Sequence, residues 1–379
     1  MVTPSTVNLG ERIRQARERA DISQSGLADL ISIDRTALNK IESGLRKVSA
    51  LELADISAAL DVTMSSFIEE PVSALVSHRS SGGMDTTDSK VDHLLANLAA
   101  DVEFVDSLVP QKLAISQYAS ALGALPYPAQ SLTSAHDAED LAARFRRLVG
   151  LSSSDPAKDL ASLCERVGLM TFAIDLGVDS ADAGTILLQQ GGVSLINSHN
   201  KIGRRRLALA HELGHYLVAD EYSVDWRIAD KSDATEGLLD RFARALLLPE
   251  TAVKSYWEER VSEHSIRESA VLTASEFRVD MATLAKRLRE LEVINASEAG
   301  SVRAVTTTQA DILDFGLNVP IDLETNTLPV LFKKGVIHLI RERKISRERA
   351  LVLLRGTFQP HDLPVPPRRR EDELWKFVS

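Results

Sequence analysis

Two histidines four residues apart, inside an otherwise apolar stretch, constrain this chain more than any other feature. His211 and His215 lie in the run Leu-Ala-Leu-Ala-His-Glu-Leu-Gly-His-Tyr-Leu-Val, whose apolar positions predict a buried helix. Side chains at i and i+4 share one helical face, so the two imidazoles can bind one metal ion. Glu212 lies about 100° around the helix from His211, where its carboxylate can face the ion's water without being a ligand.

A later predicted helix carries two carboxylates with the same spacing. Glu236 and Asp240 lie four residues apart. If Glu236 completes a site of two histidines and one glutamate, Asp240 can accept the free N–H of a ligating histidine. The chain has one cysteine, Cys164, so a thiolate metal site is excluded. The sequence therefore predicts a metal site built from imidazoles and carboxylates.

Length and composition limit the classes of protein that this chain can belong to. With 379 residues it should form two or three domains. It contains no apolar run of about 20 residues, and its first residues lack the apolar segment of a signal peptide, so we expect a cytoplasmic protein that does not enter membranes. The net charge of -10 argues against a protein that coats nucleic acid indiscriminately.

The pattern of helices, strands and breaks divides the chain into four predicted parts. Residues 1–70 should form a compact domain of short helices, and residues 71–135 a Ser-, Thr- and Gly-rich flexible linker followed by amphipathic helices. Residues 136–292 alternate between helical and strand-like patterns, which predicts an α+β domain. Residues 293–379 should form a small helical segment that could dock a partner.

Three strands are predicted within the α+β domain, over 169–174, 184–190 and 193–197, with a hairpin turn at Gly191-Gly192. Because the last strand directly precedes the histidine helix, its edge could receive the extended backbone of a peptide substrate. Tyr216 and His199 are the nearest candidates for a group that stabilises an oxyanion, although a structural role is favoured for both.

Three stretches of this domain resemble the signature of the ImmA/IrrE family of zinc metallopeptidases: Leu-Ile-Asn197, Arg206 to His215, and Glu236 to Pro249. The resemblance covers about residues 136–291. It implies a zincin-like metallopeptidase fold with one zinc ion per chain, held by His211, His215 and Glu236, and with Glu212 as general base. Asp240 stands where the family often has asparagine, and it keeps a hydrogen-bond acceptor there.

The N-terminal part resembles a second family, the Xre-type helix-turn-helix proteins, in the stretches Ser23–Ala28, Asp34–Glu42 and Gly44–Ser49. The helix that begins at Arg35 should bury its apolar residues and expose polar ones to the major groove. The residues expected to contact DNA are Gln24, Arg35, Thr36, Asn39, Lys40, Arg46 and Lys47. Residues 1–70 hold eight basic and eleven acidic residues, a net charge of -3, so affinity must come from the placement of a few side chains.

Together these patterns predict a multi-domain protein with an all-α helix-turn-helix domain, an α+β metallopeptidase domain and a small helical C-terminal segment. We expect a homodimer that binds double-stranded operator DNA and whose zinc-dependent endopeptidase cleaves a repressor or another regulatory protein. The alternative is a repressor or antitoxin-like protein that binds operator DNA and a toxin, with a metal domain that is structural or sensing. A further alternative is that the helix-turn-helix domain makes only protein contacts.

Overall fold

The computed structural model describes residues 6–20, 22–60, 64, 67, 76–79, 87–119, 132–178, 180–218, 233–319 and 321–365. These residues divide into two compact units. The first holds the N-terminal helices and extends to Ala100, and the second holds residues 76–79 and everything described from Asp101 onward. Among the described helices, none combines the length and apolarity that a bilayer crossing requires.

The first unit begins with four short helices: α1 Thr6–Arg19, α2 Gln24–Leu30, α3 Arg35–Glu42 and α4 Ala50–Ala59. Side-chain caps set where these helices start, because the Ser23 hydroxyl accepts from the Gly26 N–H and Ser49 forms a reciprocal capping box with Glu52. The helices enclose a small apolar core that includes Ile13, Leu27, Leu38 and Ile56. A longer helix, α5, spans Thr87–Leu108.

The second unit is built on a four-stranded sheet with the strand order β1-β3-β4-β2. The strands are β1 Val76–Arg79, β2 Leu169–Ile174, β3 Ala183–Leu187 and β4 Gly192–Asn197. β2 and β4 are parallel, while β3 pairs antiparallel with both β4 and β1. The predicted hairpin turn at Gly191 is confirmed, since the Leu188 N–H donates to the Gly191 carbonyl at 3.0 Å.

The sheet corrects two expectations from the sequence. β4 lies between β2 and β3 and has no free edge, so a peptide backbone cannot pair with it. Residues 76–79 lie in the stretch predicted to be a flexible linker, yet they form β1 on the outer side of β3. Strand pairing uses backbone N–H and C=O groups, so it does not require the apolar side chains that this stretch lacks.

Helices surround the sheet. After α6 Ile115–Ala119, α7 Ala135–Leu148 and α8 Leu160–Glu165, the predicted histidine helix is α9 Ile202–Val218, followed by α10 Asp233–Leu247. The remaining helices are α11 Glu250–Glu263, α12 Ile266–Phe277, α13 Met281–Glu290, α14 Ala296–Ala304, α15 Gln309–Asp314, α16 Val330–Arg341 and α17 Arg347–Leu353. The inner faces of α7 to α14 share one apolar core with the sheet.

Residues 322–331 fasten the C-terminal segment to the α+β region, so the division predicted after residue 292 lies inside one compact unit. Ala173 of β2 bridges to Thr327, and the Ala173 N–H donates to the Thr327 carbonyl at 3.0 Å. Glu165, at the end of α8, accepts from the backbone N–H groups of Val330 and Leu331 at 2.6 and 3.0 Å. This side chain caps α16 from 165 residues away along the chain.

Candidate functional site

The two helices of the candidate metal centre approach each other closely because of a glycine. Gly214 lies one residue before His215, and a Cβ atom at this position would lie 2.9 Å from Phe242 and 3.0 Å from Leu239. Both neighbours belong to α10, the helix that also carries Glu236. The absence of a side chain at Gly214 therefore lets α10 pack on α9 at the level of the two histidines.

Three donor atoms converge between these helices. The Nε2 atoms of His211 and His215 lie 3.1 Å apart, and Glu236 Oε2 lies 3.2 Å from His211 Nε2 and 3.7 Å from His215 Nε2. A tetrahedral zinc ion with bonds of about 2.0–2.1 Å requires donor atoms about 3.3 Å apart. The spacing of the three atoms therefore fits a single ion of this kind.

Burial and charge at this cluster differ among the three side chains. His211 and His215 are buried, whereas the Glu236 side chain is 42% exposed. Hydrogen bonds with His211 and His215 hold the pKa of Glu236 well below its usual range. An ionised carboxylate therefore faces the two imidazoles.

Glu212 is buried beside this cluster without a partner. Its side chain is 0% exposed, and neither carboxylate oxygen makes a hydrogen bond within the described part of the chain. Burying a carboxylate without a partner costs several kcal/mol, so such groups are rare in folded proteins. Water or another polar group that approaches the three donor atoms would satisfy it.

Asp240 lies next to His211, on the Nδ1 side of its ring. His211 Nδ1 is 3.0 Å from Asp240 Oδ1, so a proton on Nδ1 leaves the Nε2 lone pair directed towards the cluster. Asp240 Oδ2 lies 3.7 Å from Arg244 and 4.0 Å from Lys286. Arg244 is itself held by Glu290 at 2.6 Å. Neither Arg244 nor Glu290 was predicted from the sequence, although Arg244 follows Asp240 at helical spacing.

The two residues considered for oxyanion stabilisation make contacts that stabilise the fold. The Tyr216 hydroxyl is buried and donates to the Val167 carbonyl at 2.7 Å. His199 is half-exposed and pairs with Asp175 at 3.2 Å. Asn197, part of the resemblance, accepts from two backbone N–H groups and donates to the Gly177 carbonyl, so it organises the loop after β2.

The predicted DNA-contacting residues of α3 share one exposed face. Leu38 and Ile41 are buried in the core of the first unit. The exposed side chains are those of Arg35, Thr36, Asn39 and Lys40, with Lys47 exposed in the following loop. Because the apolar residues of α3 are buried, its polar face is available to contact a ligand of this unit.

Two of the predicted DNA contacts have partners within their own unit. Gln24 Nε2 donates to Glu42 Oε2 at 2.7 Å, and Arg46 pairs with Glu52 at 2.6 Å. Glu42 is buried and also holds Arg17 at 2.6 Å, and this hydrogen bond raises the pKa of Arg17. The Arg17–Glu42 pair ties α1 to α3. No sequence pattern indicated it, because 25 residues separate its members.

A helical unit with an exposed polar helix, joined to an α+β unit with a His/His/Glu cluster, defines a class of DNA-binding regulator that carries a peptidase-like domain. Comparison with known families agrees. The family described as "Helix-turn-helix" matches residues 13–67, and the family described as "IrrE N-terminal-like domain" matches residues 164–289. The chain belongs to the Xre-like helix-turn-helix family of transcriptional regulators, and a peptidase domain of the M78 (IrrE/ImmA-like) type is fused to its DNA-binding domain.

Two curated relatives are similar over a short part of the chain. The control protein C.MunI of Mycoplasma sp is 37% identical over 65 residues, which cover 17% of this chain and 88% of the relative. The uncharacterized HTH-type transcriptional regulator y4wC of Sinorhizobium fredii is 36% identical over 74 residues, 20% of this chain and 52% of the relative. A solved structure, apo ComR from S. thermophilus, matches with a TM-score of 0.16 and 13% identity, covering 78% of this chain and 91% of that one.

Proposed function

We propose that this regulator is also a zinc-dependent endopeptidase that cleaves a repressor or another regulatory protein. The observation that carries the proposal is the buried, unpartnered carboxylate of Glu212 beside three converging donor atoms. A merely structural metal site would not need such a group. A hydrolytic site needs a proton acceptor next to the reacting water.

His211, His215 and Glu236 would hold one zinc ion per chain, and Asp240 would fix the orientation of the His211 ring. When bound, zinc supplies Lewis acidity that activates water and polarises the scissile carbonyl. Glu212 accepts a proton from the attacking water and passes it to the departing amine nitrogen. Its burial keeps bulk water from competing for that proton.

The helix-turn-helix domain would direct the peptidase to DNA. Arg35, Thr36, Asn39 and Lys40 would contact base edges and phosphates in the major groove, and Lys47 the backbone. Gln24 and Arg46 would position neighbouring groups or contact phosphates through donors that Glu42 and Glu52 leave free. We propose that the chain binds a two-fold operator as a homodimer and acts in the cytoplasm.

A second candidate is a regulator that does not cleave proteins and instead holds a partner such as a toxin, with a structural or sensing metal domain. The similarity to C.MunI favours it, because 65 residues account for 88% of that control protein. A protein of about that size is too short to hold a peptidase domain as well, yet it is named a control protein. Under this alternative the donor cluster would stabilise the fold.

One substitution separates the two candidates. Glu212→Gln keeps all three donor residues, so zinc content and operator binding should equal those of the wild type. A peptidase should lose several orders of magnitude in the rate of substrate cleavage, and derepression should fail in cells that carry this allele. Derepression indistinguishable from that of the wild type would refute the proteolytic function. His215→Ala serves as the metal-free control.

A further inference from the structure

An open groove of about 570 Å³ lies between α13 and α14, next to the candidate metal centre. Its volume falls in the range of about 300–1,000 Å³ that is typical of ligand-binding clefts. Four small residues form part of its lining: Ala285, Ala296, Ala299 and Gly300. Small side chains leave room for a polypeptide backbone to approach the two helices.

The remaining lining residues give the groove a positive charge. Lys286, Arg289 and Arg303 are exposed along it, and neither arginine makes an ion pair with a described residue. Glu290 also lines the groove, but the buried Arg244 and Arg287 lie 2.6 and 3.8 Å from its carboxylate. The carboxylate of Glu290 is thus neutralised by buried arginines, while the three basic side chains of the groove are exposed.

The groove is connected to the metal centre by three ion pairs. Lys286 reaches Asp240 at 4.0 Å, and Glu290 holds Arg244, which lies 3.7 Å from the same Asp240 carboxylate. Asp240 contacts His211 at 3.0 Å. A ligand in the groove therefore lies within a few side chains of the site where a peptide bond would be cleaved.

We propose that this groove binds an acidic, extended segment of a partner protein. As a statement about the peptidase substrate, the inference rests on the function proposed above, whereas binding itself does not require cleavage. A protein segment is favoured over duplex DNA because the exposed Glu292 lies in the turn between α13 and α14, and the capping Glu298 lies in the first turn of α14. These carboxylates would repel the closely spaced phosphates of a duplex.

The test measures binding of a fluorescent eight-residue peptide of alternating Glu and Ala to the full-length Glu212→Gln chain, which should leave the probe intact. The double variant Arg289→Glu, Arg303→Glu should bind it at least about tenfold more weakly. The matched control, Lys334→Glu with Arg341→Glu, makes the same change of charge at exposed positions of α16 and should bind within about twofold of the parent chain.

A steric variant tests the groove without altering its charge. A Cβ at Gly300 meets no atom within 4 Å, so Gly300→Leu should fill the groove, preserve the fold and weaken binding about as much as the charge reversal, while Gly300→Ala should bind normally. Equal weakening by both charge variants, or equal affinity for a Gln–Ala peptide, would overturn the proposal.

Two further experiments test for other ligands. Inorganic phosphate that displaces the probe at submillimolar concentration would point to a small anion and overturn the proposal. The proposal is also overturned if Arg289→Glu, Arg303→Glu lowers the affinity for operator DNA as much as for the peptide. Probe binding that persists in His215→Ala, together with no cleavage of protein substrates by the wild-type chain, would support the groove and count against the peptidase function alone.

Discussion

Arg206 of the metal-site helix is fully buried and forms an ion pair with Asp322, 116 residues further along the chain. The other hydrogen bonds of its guanidinium go to the carbonyls of Ala157, Lys158 and Arg278. Burial lowers the pKa of Arg206, and the negative charge of Asp322 opposes that shift. One side chain thus joins the start of α9 to the C-terminal segment.

Asp322→Asn should therefore destabilise the second unit. The substitution leaves a buried guanidinium without its counter-charge, and breaking such a pair costs about 3–5 kcal/mol. The free energy of unfolding, measured with urea, should fall by about that amount. Asp314→Asn, at an exposed position, is the control and should change it by less than about 0.5 kcal/mol. Similar values for the two variants would contradict the role given to this ion pair.

Gly214→Ala should loosen the contact between α9 and α10. The added methyl group would lie 2.9 Å from Phe242, and relieving the overlap should cost about 1–3 kcal/mol of stability and weaken metal binding. Gly237→Ala is the matched control on α10, because a Cβ there meets no atom within 4 Å and alanine favours the helix. Thermal unfolding with and without chelator distinguishes the two. A Gly214→Ala chain as stable as Gly237→Ala would argue against close helix packing at this point.

Metal binding should depend on Asp240 less steeply than on the three proposed ligands. His215→Ala should abolish stoichiometric zinc, whereas Asp240→Ala should retain it with an affinity about 10–100-fold lower, because His211 loses the group that orients its ring. Plasma-emission analysis and competition with a chromophoric chelator measure both. His199→Ala, a half-exposed histidine paired with Asp175, should bind zinc like the wild type. Full zinc in His215→Ala would show that the ion lies elsewhere.

Binding to operator DNA should separate base contacts from phosphate contacts. Asn39→Ala should lose about 1–3 kcal/mol of discrimination at one base pair and relax preference there. Lys47→Ala should weaken binding to all sequences alike and reduce the slope of log affinity against log salt concentration by about 1. Lys334→Ala, in the second unit, is the control in both titrations. An unchanged footprint and salt slope in an Asn39/Lys47 double variant would remove α3 from the interface.

Lowering the pH should destabilise the N-terminal end of α7 only in the strongly acidic range. Hydrogen bonds from Thr133 and Ser134 lower the pKa of Asp137 to about 2, against about 3.9 in an unfolded chain. Its contribution to stability is therefore complete above about pH 4 and lost as the pH falls through 2. The difference in unfolding free energy between the wild type and Asp137→Asn should follow this course. A constant difference from pH 7 to 2 would show that the charge of Asp137 has no part in capping.

The donor cluster could be predicted from the sequence because its members follow helical spacing. His211 and His215 lie four residues apart on one helix, and Glu236 and Asp240 repeat that spacing on the next, so local periodicity already determined which side chains share a face. The distances between the helices depend on Gly214, whose role appears only when the opposing α10 side chains are in place.

Long-range pairings left no comparable pattern. The Arg206–Asp322 pair and the capping of α16 by Glu165 join residues more than 100 positions apart. The local sequence does not indicate which distant residues will pair, since any of several acidic residues could have formed the ion pair with Arg206. The central position of β4 was missed for a similar reason, because strand order depends on which segments meet and not on their own composition.

The pairing of Val76–Arg79 with β3 affects how this chain can be divided for experiments. A fragment that begins at residue 87 would keep α5 and the part of the second unit that follows it, but would lack the outermost strand of the sheet. The backbone N–H and C=O groups of β3 would then be bare, and bare edges pair with other chains. Such fragments should self-associate at high concentration, whereas fragments that begin near residue 74 should stay monodisperse, so the placement of a cloning boundary within a dozen residues decides which behaviour is observed.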